Sequence, residues 1–151
     1  MGILNNFHLV ILFVICVGCA RDDHFSTCPP ISAPEEGARA FVRTDESKQI
    51  VDVRLNGVDA TCSLKDSGDT EMHIKVGLKL KRTLDEGSGA DVIAVPMMTA
   101  TVDNSGNVIG NDQFGYKVGI ETEEKLIYPV AEFEAIIPAG ARIVLSLVPS
   151  N

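Results

Sequence analysis

A strict alternation of apolar and polar residues most constrains how this chain folds. The apolar set is Met72, Ile74, Val76, Leu78 and Leu80, and the residues between and after them are His73, Lys75, Gly77, Lys79 and Lys81. A period of two places each set on one face of a β-strand, whereas a helical period of 3.6 would scatter the apolar side chains around the axis. Residues 72–81 are therefore predicted to form a strand that buries one face.

Similar but shorter patterns recur along the rest of the chain. They predict strands at residues 39–43, 50–55, 60–64, 92–102, 114–120, 126–133 and 142–148. Residues 103–107 and Asn56-Gly57 carry turn signals. Pro96 indicates an edge strand or a bulge. Residues 131–137 could alternatively form a short helical turn. About seven or eight short strands without a convincing helix predict an all-β fold, an antiparallel β-sandwich of immunoglobulin-like topology, over residues 38–151.

The first twenty residues differ sharply from the rest. Residues 1–18 contain no Lys, Arg, Asp or Glu, and residues 9–20 form an unbroken apolar run that Arg21 ends. A membrane-spanning helix needs roughly 20 apolar residues, so this run is too short to cross a bilayer comfortably. Its length and position fit the apolar region of a secretory signal.

The run ends in Ile15-Cys16-Val17-Gly18-Cys19, which resembles the lipobox of bacterial lipoprotein precursors. Cys16 stands where leucine is usual in that class, and the opening residues supply no Lys or Arg. The resemblance implies a signal peptide at residues 1–18 and a mature chain that begins at an acylated Cys19. With Ala20 next, it implies sorting to the outer membrane, facing the periplasm. An uncleaved anchor, or a plain signal cut elsewhere, is the alternative.

Residues 19–37 follow with three prolines and no periodicity, and they predict a tether. In an exported lipoprotein, Cys28 and Cys62 would remain as an even pair in an oxidising compartment. A disulfide between them would close a loop of 33 intervening residues, and it would stabilise the fold by roughly 3.5–4 kcal/mol. Two buried, reduced thiols are the alternative. With the bridge, residues 20–27 would be the free tether, at most about 27 Å long.

Few residues offer catalytic or metal chemistry. Beyond the signal the histidines are His24 and His73, and a Ser-His-Asp arrangement or a histidine-based zinc site needs partners that the sequence does not supply. Two acidic loops, 66–71 and 103–107, carry the oxygen ligands that calcium takes, but polar turns also account for them. We predict no catalytic residue, no metal and no cofactor.

The most distinctive surface feature is a row of basic residues along the predicted strand. His73, Lys75, Lys79 and Lys81 share one face, and Arg82 follows at the strand end. In a chain with a net charge of -8, such a row can contact anionic lipid or an acidic partner. The alternative is an ordinary solvated face, or lysines that guard an edge strand.

These features favour a lipid-anchored protein of the cell envelope. Its non-enzymatic sandwich would act as an accessory, structural or protein-binding subunit that contacts other envelope proteins or itself. The acidic balance argues against nucleic acid as a partner, because a nucleic-acid binder needs a basic footprint. The alternatives are a periplasmic module that binds a small ligand or lipid inside the sandwich, and a hydrolase with an unrecognised site.

Overall fold

The computed structural model describes residues 26–84 and 88–149, and within those ranges it contains strands and one short 3-10 turn but no α-helix. The strands are β1 (Ile31–Ser32), β2 (Arg39–Arg43), β3 (Ile50–Leu64), β4 (Thr70–Arg82), β5 (Asp91–Val102), β6 (Val108–Ile120), β7 (Leu126–Ile127), β8 (Val130–Ile137) and β9 (Arg142–Leu147), with the 3-10 turn at Glu35–Gly37. The predicted signal segment 1–18 and the predicted lipidation residue Cys19 lie outside the described residues.

The strands form two sheets that pack face to face. Sheet A has the order β2-β3-β4, and β7 and β8 pair in succession along the other side of β4. Sheet B has the order β1-β9-β5-β6. The described pairs are antiparallel except β1 with β9, which is parallel. The predicted all-β, antiparallel sandwich is confirmed, and its immunoglobulin-like topology stays a prediction.

The core forms where the inward faces of the two sheets meet. In β4 the predicted alternation holds, and its five inward apolar side chains are 0–1% exposed: Met72, Ile74, Val76, Leu78 and Leu80. From sheet B they meet residues such as Ile93, Val95, Met97 and Leu145. Burying each large apolar side chain stabilises the fold by roughly 1.5–3 kcal/mol, so the two sheets hold each other through one common core.

The predicted turn at Asn56-Gly57 is wrong. Residues 50–64 form one continuous strand, and Asn56 and Gly57 are two residues of a β-bulge opposite the single residue Gly77. Gly57 has a φ of +99°, which suits an Asn-Gly pair in a bulge as well as in a turn. The Asn-Gly pair by itself therefore does not distinguish a turn from a bulge. The bulge moves the outward face of β3 from even-numbered to odd-numbered residues.

Three other local predictions are resolved. The helical turn considered for 131–137 is wrong, because β8 is a strand, and Tyr128 and Pro129 separate β7 from it. The edge strand or bulge predicted at Pro96 is wrong, because β5 lies between β9 and β6 and pairs with β6 without a shift at Pro96. Pro96 sits where the pairing with β9 ends, and its carbonyl accepts the Val148 amide at 2.9 Å. The turn at 103–107 is confirmed by the Asp103 amide, which donates to the Asn107 carbonyl at 2.9 Å.

The predicted disulfide is confirmed. Cys28 and Cys62 are bonded, with their Cα atoms 5.3 Å apart, within the distance that a bridge requires. Beside the bridge, the Ser26 amide donates to the carbonyl of Cys62 at 3.3 Å, and β1 then pairs with β9. Residues 26–37, which their composition assigned to the tether, thus lie along the sandwich.

Within the described ranges no helix is long and apolar enough to cross a membrane.

Candidate functional site

The predicted basic row along β4 divides into two parts with different neighbours. In the first part, His73 and Lys75 lie beside β8, which carries two outward carboxylates. The His73 Nε2 is 3.3 Å from Glu132 Oε2 and its Nδ1 is 3.7 Å from Glu134 Oε1, while Lys75 Nζ is 3.5 Å from Glu132 Oε1. Acidic side chains therefore offset the basic character of this part.

The second part of the row, Lys79 and Lys81, joins other cations across the sheet. The register places Arg39 opposite Arg54 and Arg54 opposite Lys79, so three cations lie side by side on β2, β3 and β4. Like charges directly opposite each other destabilise a sheet. One carboxylate, Asp52, offsets only part of this repulsion, and the row keeps a net positive charge, which makes it the strongest candidate for a binding surface.

We define the basic patch as the outward residues of β2, of β3 before its bulge at Asn56-Gly57, and of β4 after Gly77. Its members are Arg39, Phe41, Arg43, Ile50, Asp52, Arg54, Lys79 and Lys81. The patch holds five positive side chains and one negative side chain, in a chain whose net charge is -8. The opposite sign of patch and chain gives the molecule a marked charge asymmetry.

Asp52 is the one carboxylate of the basic patch, and two arginines share it. Arg39 contacts it through Nε at 2.7 Å and Nη2 at 3.0 Å, and Arg54 contacts it through Nη2 at 3.0 Å. Burial opposes ionisation, but hydrogen bonds from Arg39 and Arg54 outweigh it and lower the pKa of Asp52 below its usual value. Asp52 stays charged at neutral pH and orients both guanidinium groups.

Lys79 and Lys81 have no ion-pair partner among the described residues. Lys81 lies opposite Asp52 in the register, but the Asp52 carboxylate binds Arg39 and Arg54 instead. The ammonium groups of both lysines are therefore available to an incoming anionic group.

The basic patch also contains exposed apolar side chains. Phe41 is 52% exposed and Ile50 is 51% exposed, and the Arg39 guanidinium lies 4.7 Å from the centre of the Phe41 ring. Arginine and aromatic residues are enriched at protein–protein interfaces, whereas lysine and acidic residues are depleted there. Phe41 and Ile50 give the patch more interface character than a purely charged row would have.

Arg82 was predicted to extend the basic row, but it points to the opposite face of β4. It is 4% exposed, and its guanidinium donates to the carbonyls of Glu124 at 2.7 Å, Glu121 at 2.7 Å and Gly89 at 3.0 Å. Its place in the alternation, directly after the outward Lys81, accounts for this orientation. Arg82 holds loops together and does not join the basic patch.

Sequence reasoning missed the arginines of β2 and β3. Arg39 and Arg43 are four positions apart in a predicted strand, so its period of two could have placed both on the same outward face. The sequence alone could not show which side chains lie beside Lys79. Its neighbour Arg54 is 25 positions away along the chain, and only the pairing of β3 with β4 brings the two together.

The acidic loops use their carboxylates within the loops themselves. Asp69 accepts from the Ser67 hydroxyl at 2.9 Å, and Glu71 lies 3.0 Å from Lys65 Nζ. Asp103 accepts from the Asn107 side-chain amide at 3.1 Å and from the backbone amides of Asn107 and Ser105, each at 2.8 Å, and these bonds lower its pKa. Among the described residues no group of three His, Cys, Asp or Glu side chains is placed to hold a metal ion.

A cleft of about 490 Å³ opens where the sandwich is not closed, between β6 of sheet B and β8 of sheet A. Phe114 and Phe133 pack together beside it with ring centroids 4.8 Å apart. Two exposed carboxylates, Asp112 and Glu134, also line it. The cleft is thus a mixed apolar and acidic feature, distinct from the basic patch.

Comparison with known proteins gives no match: no family model, no curated protein and no solved structure is significantly similar to this chain.

Proposed function

We propose that this protein is a lipid-anchored, non-enzymatic binding subunit of the cell envelope, whose basic patch contacts an acidic face of another envelope protein. The observation that carries the proposal is the row of three cations, Arg39, Arg54 and Lys79, across neighbouring strands. A partner that brings carboxylates to this row would relieve its repulsion and gain charge-assisted hydrogen bonds.

The disulfide supports the envelope location. A bridge between Cys28 and Cys62 persists in oxidising compartments, such as the periplasm, and is rare in the cytosol. The lipobox-like segment ending at Cys19 implies export and acylation, so the two features agree. A sandwich held close to the outer membrane by a short tether would meet other proteins of that membrane at high local concentration.

The surroundings of His73 support a non-enzymatic role. Its side chain lies against Glu132 and Glu134, and Thr61 stands opposite it in the β3–β4 register. A catalytic base needs a nucleophile or a substrate within hydrogen-bond reach, inside a site that excludes water. His73 and its two carboxylates instead lie on the outer face of sheet A.

A protein partner accounts for the basic patch better than a bare membrane surface does. Anionic lipid requires only positive charge, whereas Phe41 and Ile50 expose apolar surface among the cations. Arg39 and Arg54 are pre-oriented by Asp52, and an oriented guanidinium suits the planar carboxylates of a protein. We therefore assign the basic patch to an acidic protein surface with an apolar centre.

The anchor is tested by the intact mass of the protein recovered from the membranes of its own host. We expect a chain that begins at acylated Cys19 and gains the mass of two hydrogen atoms on reduction, because the bridge opens. An unmodified mass for all 151 residues would overturn the lipid anchor and leave the binding patch to be judged by itself.

The patch is tested by a photo-crosslinking amino acid at position 41 in the full chain, within its host's envelope. We expect one protein adduct, at an Asp- or Glu-rich segment of the partner, and its loss when Lys79 and Lys81 are changed to Glu. The matched control is Lys65→Glu with Arg142→Glu, which makes the same charge change at two positions outside the basic patch. Equal loss in the control, or adducts to lipid alone, would overturn the protein partner.

A small-ligand carrier is the second candidate, and the cleft beside Phe114 and Phe133 favours it. Its volume of about 490 Å³ lies within the range of ligand pockets. Native mass spectrometry of the protein purified from its host tests this candidate. A bound compound that Phe133→Ala releases would support a carrier, whereas ligand-free protein would leave the binding subunit as the better account.

A further inference from the structure

The outer edge of sheet B is long and open. β6 forms that edge, and within the described ranges no strand pairs with its far side. The strand is 13 residues long, contains no proline, and has Asp112 and Lys117 as its only charged residues. An edge of this kind presents a row of unpaired backbone N–H and C=O groups that can receive another strand.

The other sheet edges carry features that discourage pairing. β1 is two residues long, and β2 is five residues long with Arg39 and Arg43 at its ends. On β8, Glu132 and Glu134 project outward. Short length and charged side chains are the usual protections of edge strands. β6 has a bulge at Ile109, near its first residue, but over residues 110–120 it carries little such protection.

Apolar surface lies along the same strand. Val108 is 60% exposed and Ile109 is 50% exposed, while Phe114 and Tyr116 are half-buried beside the open side of the sandwich. A strand added to β6 would cover these side chains and satisfy the backbone groups in the same step.

We propose that β6 pairs antiparallel with β6 of a second copy of this chain, around a two-fold axis at Phe114. Phe114 is the midpoint of Val108–Ile120, so this register gives the longest overlap of the two strands, interrupted only at the bulge that Ile109 forms opposite β5. Such an interface uses the same surface on both copies, which is the commonest form of homodimer. Sheet B would continue across the dimer as a single sheet of eight strands, four from each copy.

The side chains of β6 are compatible with this register. Each Phe114 meets its symmetry mate, and aromatic cross-strand pairs are stabilising. Asp112 lies opposite Tyr116 of the second copy, whose hydroxyl can donate to the carboxylate. Lys117 lies opposite Asn111. No two like charges meet directly, because this register sets both charged residues of β6 opposite uncharged ones. A second copy therefore fits the edge without opposing like charges.

This inference does not rest on the basic patch, which lies on the other sheet. It does compete with the small-ligand alternative, because a paired second copy would cover the mouth of the cleft beside β6.

Cysteine crosslinking of the full chain in its host membrane tests the proposed register. Gln113 of one copy should lie directly opposite Gly115 of the other, and directly opposed residues have Cα atoms about 4.5–5.5 Å apart, which suits a disulfide. Both positions are exposed, and a Cβ at position 115 meets no atom within 4 Å. A tagged copy with Gly115→Cys and an untagged copy with Gln113→Cys should form a mixed disulfide dimer.

The matched controls are each cysteine variant expressed alone and the wild-type chain, none of which should form this dimer efficiently. Self-crosslinking of Gly115→Cys without the mixed product would overturn the register. Crosslinks to a different protein would overturn the second copy as the occupant of the edge. No crosslink from either position would overturn strand pairing at β6.

Sedimentation of the purified full chain gives an independent test. Wild-type protein should sediment as a concentration-dependent dimer, and Gln113→Lys with Gly115→Lys should sediment as a monomer, because four lysines would then face each other across the axis. Lys79→Glu, on the other sheet, should leave the dimer unchanged. A wild-type chain that is monomeric at all concentrations, or a dimer that survives the lysine pair, would overturn the proposal.

Discussion

Gly77 faces the carbonyl oxygen of Asn56 so closely that a Cβ at position 77 would stand 2.7 Å from it. The bulge in β3 brings this carbonyl toward β4, because two residues of β3 occupy the space opposite one residue of β4. Glycine is therefore required at the one β4 position that faces the bulge, even though position 77 falls in the middle of a strand.

Replacing Gly77 by Ala should lower the free energy of unfolding by about 1–3 kcal/mol, the usual cost of forcing an extra methyl group into packed structure. Urea unfolding checks this value. Gly119→Ala is the matched control, because a Cβ there meets no atom within 4 Å, and its effect should stay within about 0.5 kcal/mol. Equal effects of the two variants would contradict the close approach at the bulge.

Asp91 should make the protein sensitive to acid. Burial opposes its ionisation, but hydrogen bonds from the Ser47 hydroxyl at 2.6 Å and the Ser47 and Glu46 amides at 3.0 and 3.1 Å lower the pKa of Asp91 well below its usual value. A lowered folded-state pKa contributes stability that is fully present above about pH 4, where the unfolded carboxyl is ionised, and that is lost as the pH falls further.

Asp91→Asn should therefore destabilise the fold at neutral pH by about 1–3 kcal/mol, because amide donors of Glu46 and Ser47 lose an ionised acceptor. Its stability should also change less than that of the wild type between about pH 5 and pH 2. Thermal unfolding across this range provides the measurement. Parallel pH profiles for the two proteins would contradict the assigned role of Asp91.

Reduction of the Cys28–Cys62 bridge should lower the free energy of unfolding by about 3–4 kcal/mol, since the unfolded chain gains the entropy of an open loop. Urea unfolding with and without reductant measures the loss. In the matched control, Cys28→Ala with Cys62→Ala, stability should start lower and no longer respond to reductant. A wild-type midpoint that reductant does not move would contradict this expectation.

Arg82→Lys should destabilise the protein by about 2–4 kcal/mol although it keeps the charge. A single ammonium group cannot reproduce the planar fork that reaches the carbonyls of Glu121, Glu124 and Gly89. Lys81→Arg, at the exposed neighbouring position, is the control and should be nearly neutral. The urea midpoints of the two variants provide the measurement. An unchanged midpoint for Arg82→Lys would mean that the three hydrogen bonds contribute little to stability.

Asp52→Asn should leave Arg39, Arg54 and Lys79 without the carboxylate that now offsets their repulsion. We expect a loss of about 1 kcal/mol at low ionic strength, modest because the arginines are about half exposed, and a smaller loss at high salt. Asp66→Asn makes the same charge change in an exposed loop and should have little effect. A loss that does not depend on salt would argue against an electrostatic origin.

Much of the fold could be predicted because it depends on patterns within single strands and on one pair of cysteines. The alternation through Met72–Leu80 identified the central strand and its buried face, and the even pair of cysteines identified the bridge. The bulge could not be predicted, because Asn56-Gly57 suits a turn and a bulge equally, and the choice depends on pairing with β4. The break before β8 was missed for a similar reason, since Pro129 lies within an otherwise continuous apolar pattern.

The candidate site was predicted only in part. Lys79 and Lys81 were placed on the correct face, but the row was expected to run along β4, whereas the basic patch runs across β2, β3 and β4. Arg82 was assigned to the wrong face because its position beyond the predicted strand end left it outside the alternation. Residues that neighbour each other across strands come from distant parts of the chain, so their contacts need the register.

The sequence by itself determined which side of β4 faces inward, since successive side chains of a strand point to opposite faces and the apolar residues from Met72 to Leu80 all fall on one of them. It also determined that Cys28 and Cys62 were the two cysteines available to bridge in the domain. Only the tertiary structure decided that Arg39, Arg54 and Lys79 stand side by side while Lys75 meets Glu132. The physical reason is that long-range hydrogen-bonded pairing, with one bulge in β3, sets the register, and register decides which charges become neighbours.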